Sequence, residues 1–206
     1  MTKRILIIIG FFVGIQGLHS QTLGSKIEGT LINQAAYRYA YLYFNDSKST
    51  LLTEIKDNHF LFETPQPGIF TTAQIFLGFD SLKTLQDLVK ERRMGINGVR
   101  PVVVENLKII VNTDMPNAKI FGSDLNRDLD EMYQAVKSLE YKNFIAQHLD
   151  SPVSLHLIDT LSKVNKVKLP YGESAQYDVE GFYNMLSDQI KASTYGKKVW
   201  NNISKK

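Results

Sequence analysis

Three histidines beyond residue 21, His59, His148 and His156, are the side chains best suited to proton transfer or metal ligation, because imidazole changes charge near neutral pH. His148 and His156 flank the expected junction of two helices and are near enough in sequence to approach each other. His59 falls in an expected strand beside a turn. A histidine on such an element is far more often a packing or surface group than a ligand, so no metal is expected. The run "DLNRDLDE" matches the first ligands of a calcium loop through Asp124, Asn126 and Asp128. Leu129 then stands where that loop needs glycine, and Ala135 where it needs a bidentate glutamate, so the run reads as a capped acidic helix start. The chain has no G-x-S-x-G, G-x-x-x-x-G-K, H-E-x-x-H or G-x-G-x-x-G and no cysteine. Without a thiol there is neither a disulfide nor a thiolate nucleophile. The expectation is a non-enzymatic chain without a cofactor.

Two stretches have the chemistry of binding surfaces. In "YRYAYLYF", Tyr37, Tyr39, Tyr41 and Tyr43 are expected on one face of a strand, with Ala40, Leu42 and Phe44 on the other. Tyrosines so placed can stack on sugars or peptides while their hydroxyls reach partners; packing across strands is the competing use. In "FDSLKTLQDLVKERRMGING", Phe79, Leu82, Leu85 and Leu88 or Val89 recur at helical spacing, which predicts a helix inserted at about 79–94. Lys90, Arg92 and Arg93 near its C-terminus favour the helix dipole. Leu82, Leu85, Val89, Arg92 and Arg93 would form a docking stripe for a partner, or else cover an open end of the sheet.

Lys3 and Arg4 precede an apolar run from Ile5 to Ile15, closed by Gln16, His19, Ser20 and Gln21, which predicts a secretory signal peptide over residues 1–21. The run is short of the roughly 20 apolar residues that span a bilayer, so membrane contact is expected only through this segment before cleavage. No cysteine follows it, so the chain is expected to be exported, periplasmic or associated with the cell envelope, and not a lipoprotein. Cleavage removes two of the 24 basic residues and none of the 21 acidic ones, which leaves a net charge near +1. Nucleic acid is therefore an unexpected partner, since phosphate tracking needs clustered positive charge.

From residue 22 to 122 the elements that must position these groups are strands. "KIEGTLI" places Ile27, Gly29 and Leu31 on one side. "LLTEIKDNHFLFE" predicts a hairpin turning at Asp57-Asn58, "GIFTTAQIFL" a further strand, "RPVVVENLKIIVNTD" a second hairpin around Glu105-Asn106, and "NAKIFG" a last short strand. Seven or eight strands with short connections predict an antiparallel β-sandwich or open barrel. From 123 to 206 the period is helical and predicts a C-terminal helical extension packed on the β domain. A long helix capped by Ser123 runs to about Gln147 through Leu125, Leu129, Met132, Val136 and Leu139. A second, capped by Ser151 with Pro152 at its first position, buries Val153, Leu157, Leu161 and Val164. A third spans Val179 to Ile190, and a short fourth runs from Lys197 to Ile203 around Val199 and Trp200.

In this order of parts, "KIEGTL", "YAYLYF", "IKDNHFLFE", "VVENLKIIVNTD", "NAKIFGSDLNRDLDEM" and "DSPVSLHLIDTL" resemble a known arrangement. It is the N-terminal domain of unknown function that precedes the thioredoxin-like domain in bacterial envelope thiol-disulfide oxidoreductases of the alkyl-hydroperoxide-reductase/thiol-specific-antioxidant type. "FYNMLSDQIKASTYGKKVWNNI" resembles the linker helices that lead into the redox domain. The resemblance covers nearly all of residues 25 to 204 and implies a fold rather than a catalytic site. Two departures stand out: no C-x-x-C module follows "GKKVWNNI", and a helix is inserted where the family more often has a short connection. Thiol–disulfide exchange needs a thiolate, so this chain cannot perform it alone. The expected function is binding or accessory work, such as recognising a protein or small-ligand partner of envelope redox proteins. The alternatives are an enzyme or enzyme subunit whose active site another chain completes, and a vestigial structural domain.

Overall fold

Burial along the first and fourth strands follows the period of two that the sequence predicts. In β1 (Lys26–Leu31), Ile27, Gly29 and Leu31 point inward while Lys26 and Glu28 are exposed; in β4 (His59–Glu63), Phe60 and Phe62 are buried between exposed His59, Leu61 and Glu63. The computed structural model describes residues 24–32, 37–65, 70–79, 98–166 and 176–204. The remaining strands are β2 (Tyr39–Phe44), β3 (Thr50–Glu54), β5 (Thr72–Gly78), β6 (Arg100–Val103), β7 (Leu107–Val111) and β8 (Lys119–Phe121). They form two open four-stranded sheets, ordered β4-β1-β7-β8 and β3-β2-β5-β6, with every pairing antiparallel except the parallel pair β1–β7. This is the expected sandwich-like architecture. Its core includes Ile27, Leu42, Phe60, Phe62, Ile75, Val102, Leu107, Ile109 and Val111 from both inner faces.

Both expected hairpins depart from prediction in the same way. Asp57 and Asn58 do adopt positive φ, 51° and 61°, and Lys56 and His59 exchange backbone bonds of 2.9 and 2.8 Å across the turn. Beyond that single bridge β3 and β4 splay into different sheets, because Phe60 and Phe62 pair with β1 and enter the core there. The segment around Glu105-Asn106 likewise carries the chain from one sheet to the other instead of folding β6 back onto β7. Polar side chains pin this crossover. Asn106 Oδ1 accepts from the Lys26 N–H at 2.8 Å, and Glu105 Oε1 accepts from the Ser123 N–H at 3.1 Å.

After β8 the chain becomes helical: α1 (Asp124–Ser138), α2 (Tyr141–Gln147), α3 (Pro152–Asn165), α4 (Val179–Met185), α5 (Asp188–Ala192) and α6 (Thr194–Ile203). Ser123 and Ser151 cap α1 and α3 as predicted, and Pro152 opens α3. The single long helix expected up to Gln147 is broken at Leu139, which takes a left-handed conformation at φ 61° while the Glu140 N–H closes on the Ala135 carbonyl. The break brings Phe144 and Ile145 into the same apolar cluster as Leu129 and Met132 and leaves Leu139 itself 70% exposed. Val164, in the last turn of α3, is exposed rather than buried. The helix expected over Val179–Ile190 is likewise two, separated by extended Leu186 and re-capped by Ser187.

The helical part is fastened to the sandwich at the edge strand β6. Its register with β5 turns the N–H and C=O of Val103 away from the sheet. The Asn126 side chain meets both: Oδ1 accepts from the Val103 N–H at 2.9 Å and Nδ2 donates to the Val103 carbonyl at 3.0 Å. Nδ2 also donates to Glu105 Oε1 at 2.6 Å. Arg100 on the same strand holds Asp130 of α1 at 2.6 Å. Val103 packs into the helical cluster with Leu129, Met132, Phe144, Val153, Leu157 and Val199.

Two substitutions test this account. Asn126→Ala leaves two buried backbone groups unpaired and is expected to cost roughly 2–4 kcal/mol in urea denaturation; a change below about 0.5 kcal/mol contradicts the pairing. A Cβ at Gly29 would stand 1.9 Å from Phe60 Cζ, so Gly29→Ala is expected to lower the melting temperature, and Phe60→Leu in the same chain to restore part of the loss.

Candidate functional site

Outward-facing residues of the β4-β1-β7-β8 sheet form a lattice fixed by register. One row across the strands reads Leu61, Glu28, Lys108, Phe121; the next reads His59, Thr30, Ile110, Lys119. Successive members of a row stand about 4.8 Å apart. This face floors an open groove of about 1060 Å³, whose further wall is Leu52, Thr53, Glu54 and Lys56 from β3 and the turn. Its apolar side chains are not covered: Leu52 is 47% exposed, Leu61 43% and Phe121 53%. Among the described residues, Glu28 and Lys108 are register partners on adjacent strands yet make no ion pair with each other or with a neighbour. His59 Nδ1 lies 3.0 Å from the Thr30 hydroxyl inside the groove. The surface is thus amphipathic, with exposed apolar groups, two opposite charges free of direct ion-pair contact and a hydroxyl–imidazole pair within reach of one ligand.

Three of the four tyrosines share the predicted face. Tyr37 precedes β2 and packs against the sandwich core and the Phe79 ring, 4.9 Å between centroids, so it does not share the face of the others. Tyr39, Tyr41 and Tyr43 do share a face, but Tyr41 is 1% exposed and stacks on Phe76 at 4.8 Å and 3° between planes. Cross-strand packing therefore takes up Tyr41, while Tyr39 and Tyr43 stay half-buried on the same face. The segment expected to form an inserted helix, with Leu82, Leu85, Val89, Arg92 and Arg93, lies outside the described residues apart from Phe79, as does the segment 1–21.

The other two histidines take separate partners. His148 Nε2 meets Glu131 Oε2 at 2.9 Å, and its ring lies 4.4 Å from that of Phe144. His156 on α3 lies beside Phe70, whose ring stacks on Tyr195 of α6. Burial lowers the His156 pKa below its ordinary 6.5, opposed by the nearby carboxylates of Asp159 and Asp46 and reinforced by Lys163. Burial also pushes the Tyr195 phenol up, helped by the same two carboxylates. For Asp159 burial acts upward, but hydrogen bonds from Lys163 at 2.6 Å and Asn202 at 3.0 Å bring its carboxyl below the usual value. The acidic run at the start of α1 serves structure: besides the Asn126 pairing, Asp128 accepts from the Ser151 hydroxyl at 2.6 Å. Among the described residues no cluster of His, Asp or Glu has the arrangement of a metal site, and no helix is long and apolar enough to cross a membrane.

Leu61, Glu28, Lys108, Ile110 and Phe121 were not singled out by motif reasoning. The signal they carry is modest: apolar residues at outward positions of strands whose other outward residues are charged. No protein-family model, no curated protein and no solved structure matches this chain.

A group whose pKa is lower folded than unfolded resists protonation in the native state, so its contribution is present above the unfolded pKa and is lost as pH falls. His156 should therefore make stability decline as the pH drops below 6.5. His156→Leu is expected to flatten that decline in urea midpoints measured from about pH 7.5 to 5; an unchanged slope contradicts the buried, neutral state of this ring.

Proposed function

We propose that this chain is an exported, non-catalytic binding module whose recognition face is the outer face of the β4-β1-β7-β8 sheet, and whose ligand is a segment of a partner polypeptide. The observation that carries the reading is the groove itself: exposed Leu52, Leu61 and Phe121 border unpaired Glu28 and Lys108 in one continuous depression of about 1060 Å³. That volume sits at the upper end of the roughly 300–1,000 Å³ of small-molecule pockets, and the groove is open, which favours a chain segment over an enclosed metabolite. Apolar residues grouped on one face beside charges are the composition of an interaction site. The sequence resemblance to domains that precede thioredoxin-like modules supports looking for the partner among envelope redox proteins. An enzyme completed by another chain is the second reading, favoured by the Thr30–His59 pair, since a hydroxyl 3.0 Å from an imidazole resembles a base-activated nucleophile. Among the described residues no carboxylate orients the other nitrogen of His59, which places binding first.

Selection from a displayed library of random peptides tests the proposal. Binders are expected to lose roughly tenfold or more in affinity against Phe121→Glu and Leu61→Glu, with the fold retained by circular dichroism. Recovery of no binder, or of binders indifferent to both substitutions, overturns it.

A further inference from the structure

The corner where β3 and β4 separate has a feature that a groove for an arbitrary ligand would not need. The register of β2 with β3 places the ladder bonds at Leu51, Thr53 and Ile55, as the Ile55 N–H to Arg38 carbonyl bond of 2.8 Å marks. Antiparallel alternation then turns the backbone groups of Leu52 and Glu54 outward. The register of β1 with β4 does the same on the other side: bonds at Asn58 and Thr64 mark the inward positions, so Leu61 and Glu63 face outward. Past the Lys56–His59 bridge, the N–H and C=O groups of Leu52, Glu54, Leu61 and Glu63 belong to neither ladder. Among the described residues, two edges without a strand partner thus diverge from one turn. Elsewhere the molecule covers such an edge, since Asn126 satisfies Val103 on β6. Only another polypeptide backbone offers donors and acceptors at the two-residue repeat these edges present.

Side chains say what kind of segment fits. Continuing the hairpin register from the Lys56–His59 bridge sets Glu54 opposite Leu61 and Leu52 opposite Glu63 across the split. Each level thus joins one exposed leucine to one exposed glutamate. That is the complement of arginine or lysine, whose apolar stem lies on the leucine while its cationic head meets the carboxylate. Glu54 and Glu63 now contact Lys56 at 3.3 Å and Lys26 at 3.5 Å, solvated pairs of small worth that an incoming cation can replace.

We propose that the split between β3 and β4 receives an extended strand of a partner protein carrying basic residues at alternate positions, which adds to the free edge of β4 or β3. This rests on the binding reading above and names its occupant.

The test uses the purified chain from residue 22 onward and a capped seven-residue peptide with arginine at positions three and five and β-branched residues elsewhere. Its control has the same composition with the two arginines adjacent, which sends them to opposite faces of a strand. Amide hydrogen exchange is expected to slow at the outward amides of one edge, Leu61 and Glu63 or Leu52 and Glu54. Affinity is expected to fall roughly tenfold with the control peptide and with the double variant E54K/E63K. Failure to bind, or binding that leaves all four amides unprotected, overturns strand addition. Library peptides that depend on Phe121 but protect none of these amides would leave the groove standing while this inference fails, so the two outcomes are separable.

Discussion

A side-chain amide standing in for a missing strand joins the two halves of this molecule. Asn126 presents to Val103 the same donor and acceptor that a neighbouring strand would, and it is 3% exposed, so water cannot substitute for it. The pairing has geometric consequences beyond its own energy. It fixes the roll of α1 so that Leu129 and Met132 lie on Val103 while Asp130 reaches Arg100 and Asp128 reaches Ser151. Through Ser151 the start of α3 is set, and through α3 the burial of Val199 and Ile203 on α6. The order of the helical half therefore originates at one edge of a sheet.

The two corners of the sandwich receive opposite treatment. At β6 the outward backbone is capped by a buried amide and covered by a helix. At β3 and β4 no described strand pairs with it and exposed charge flanks it, which is how proteins keep an unpaired edge from pairing indiscriminately. Glu54 and Glu63, each with its lysine, set charge beside the exposed Leu52 and Leu61 at this corner.

How much of this was legible follows from what each signal reports. Alternation gave the inward faces of β1 and β4 because burial of one face is a local property of a strand, and the serine caps of α1 and α3 were legible because their hydrogen bonds reach only two residues ahead. Sheet membership was not legible: a turn such as Asp57-Asn58 states that the chain reverses, not how far the pairing continues, and that is decided by Phe60 finding space opposite Gly29 and Phe62 entering the core opposite Ile27. The break at Leu139 was hidden for a related reason, since leucine carries no helix-stop signal and takes φ 61° only because Phe144 and Ile145 gain burial. Alternation located the common face of Tyr39, Tyr41 and Tyr43 without saying whether something lies on it, and Tyr41 is covered. Within the "DLNRDLDE" run the partner of the asparagine, Val103, lay too far along the chain for local pattern to find.

The one parallel pairing sets the tempo at which such a chain can assemble. Strand β1 sits between β4 and β7, and its first amide is held by Asn106, 80 residues downstream. A chain emerging from its N-terminus therefore carries β1 without its neighbour β7 until some 80 further residues are available. Closure of so long a loop precedes any reward from contacts, which makes folding slow and late rather than progressive from the first residues. A protein built in this way stays unfolded during synthesis for longer than one whose sheets are made of neighbouring hairpins.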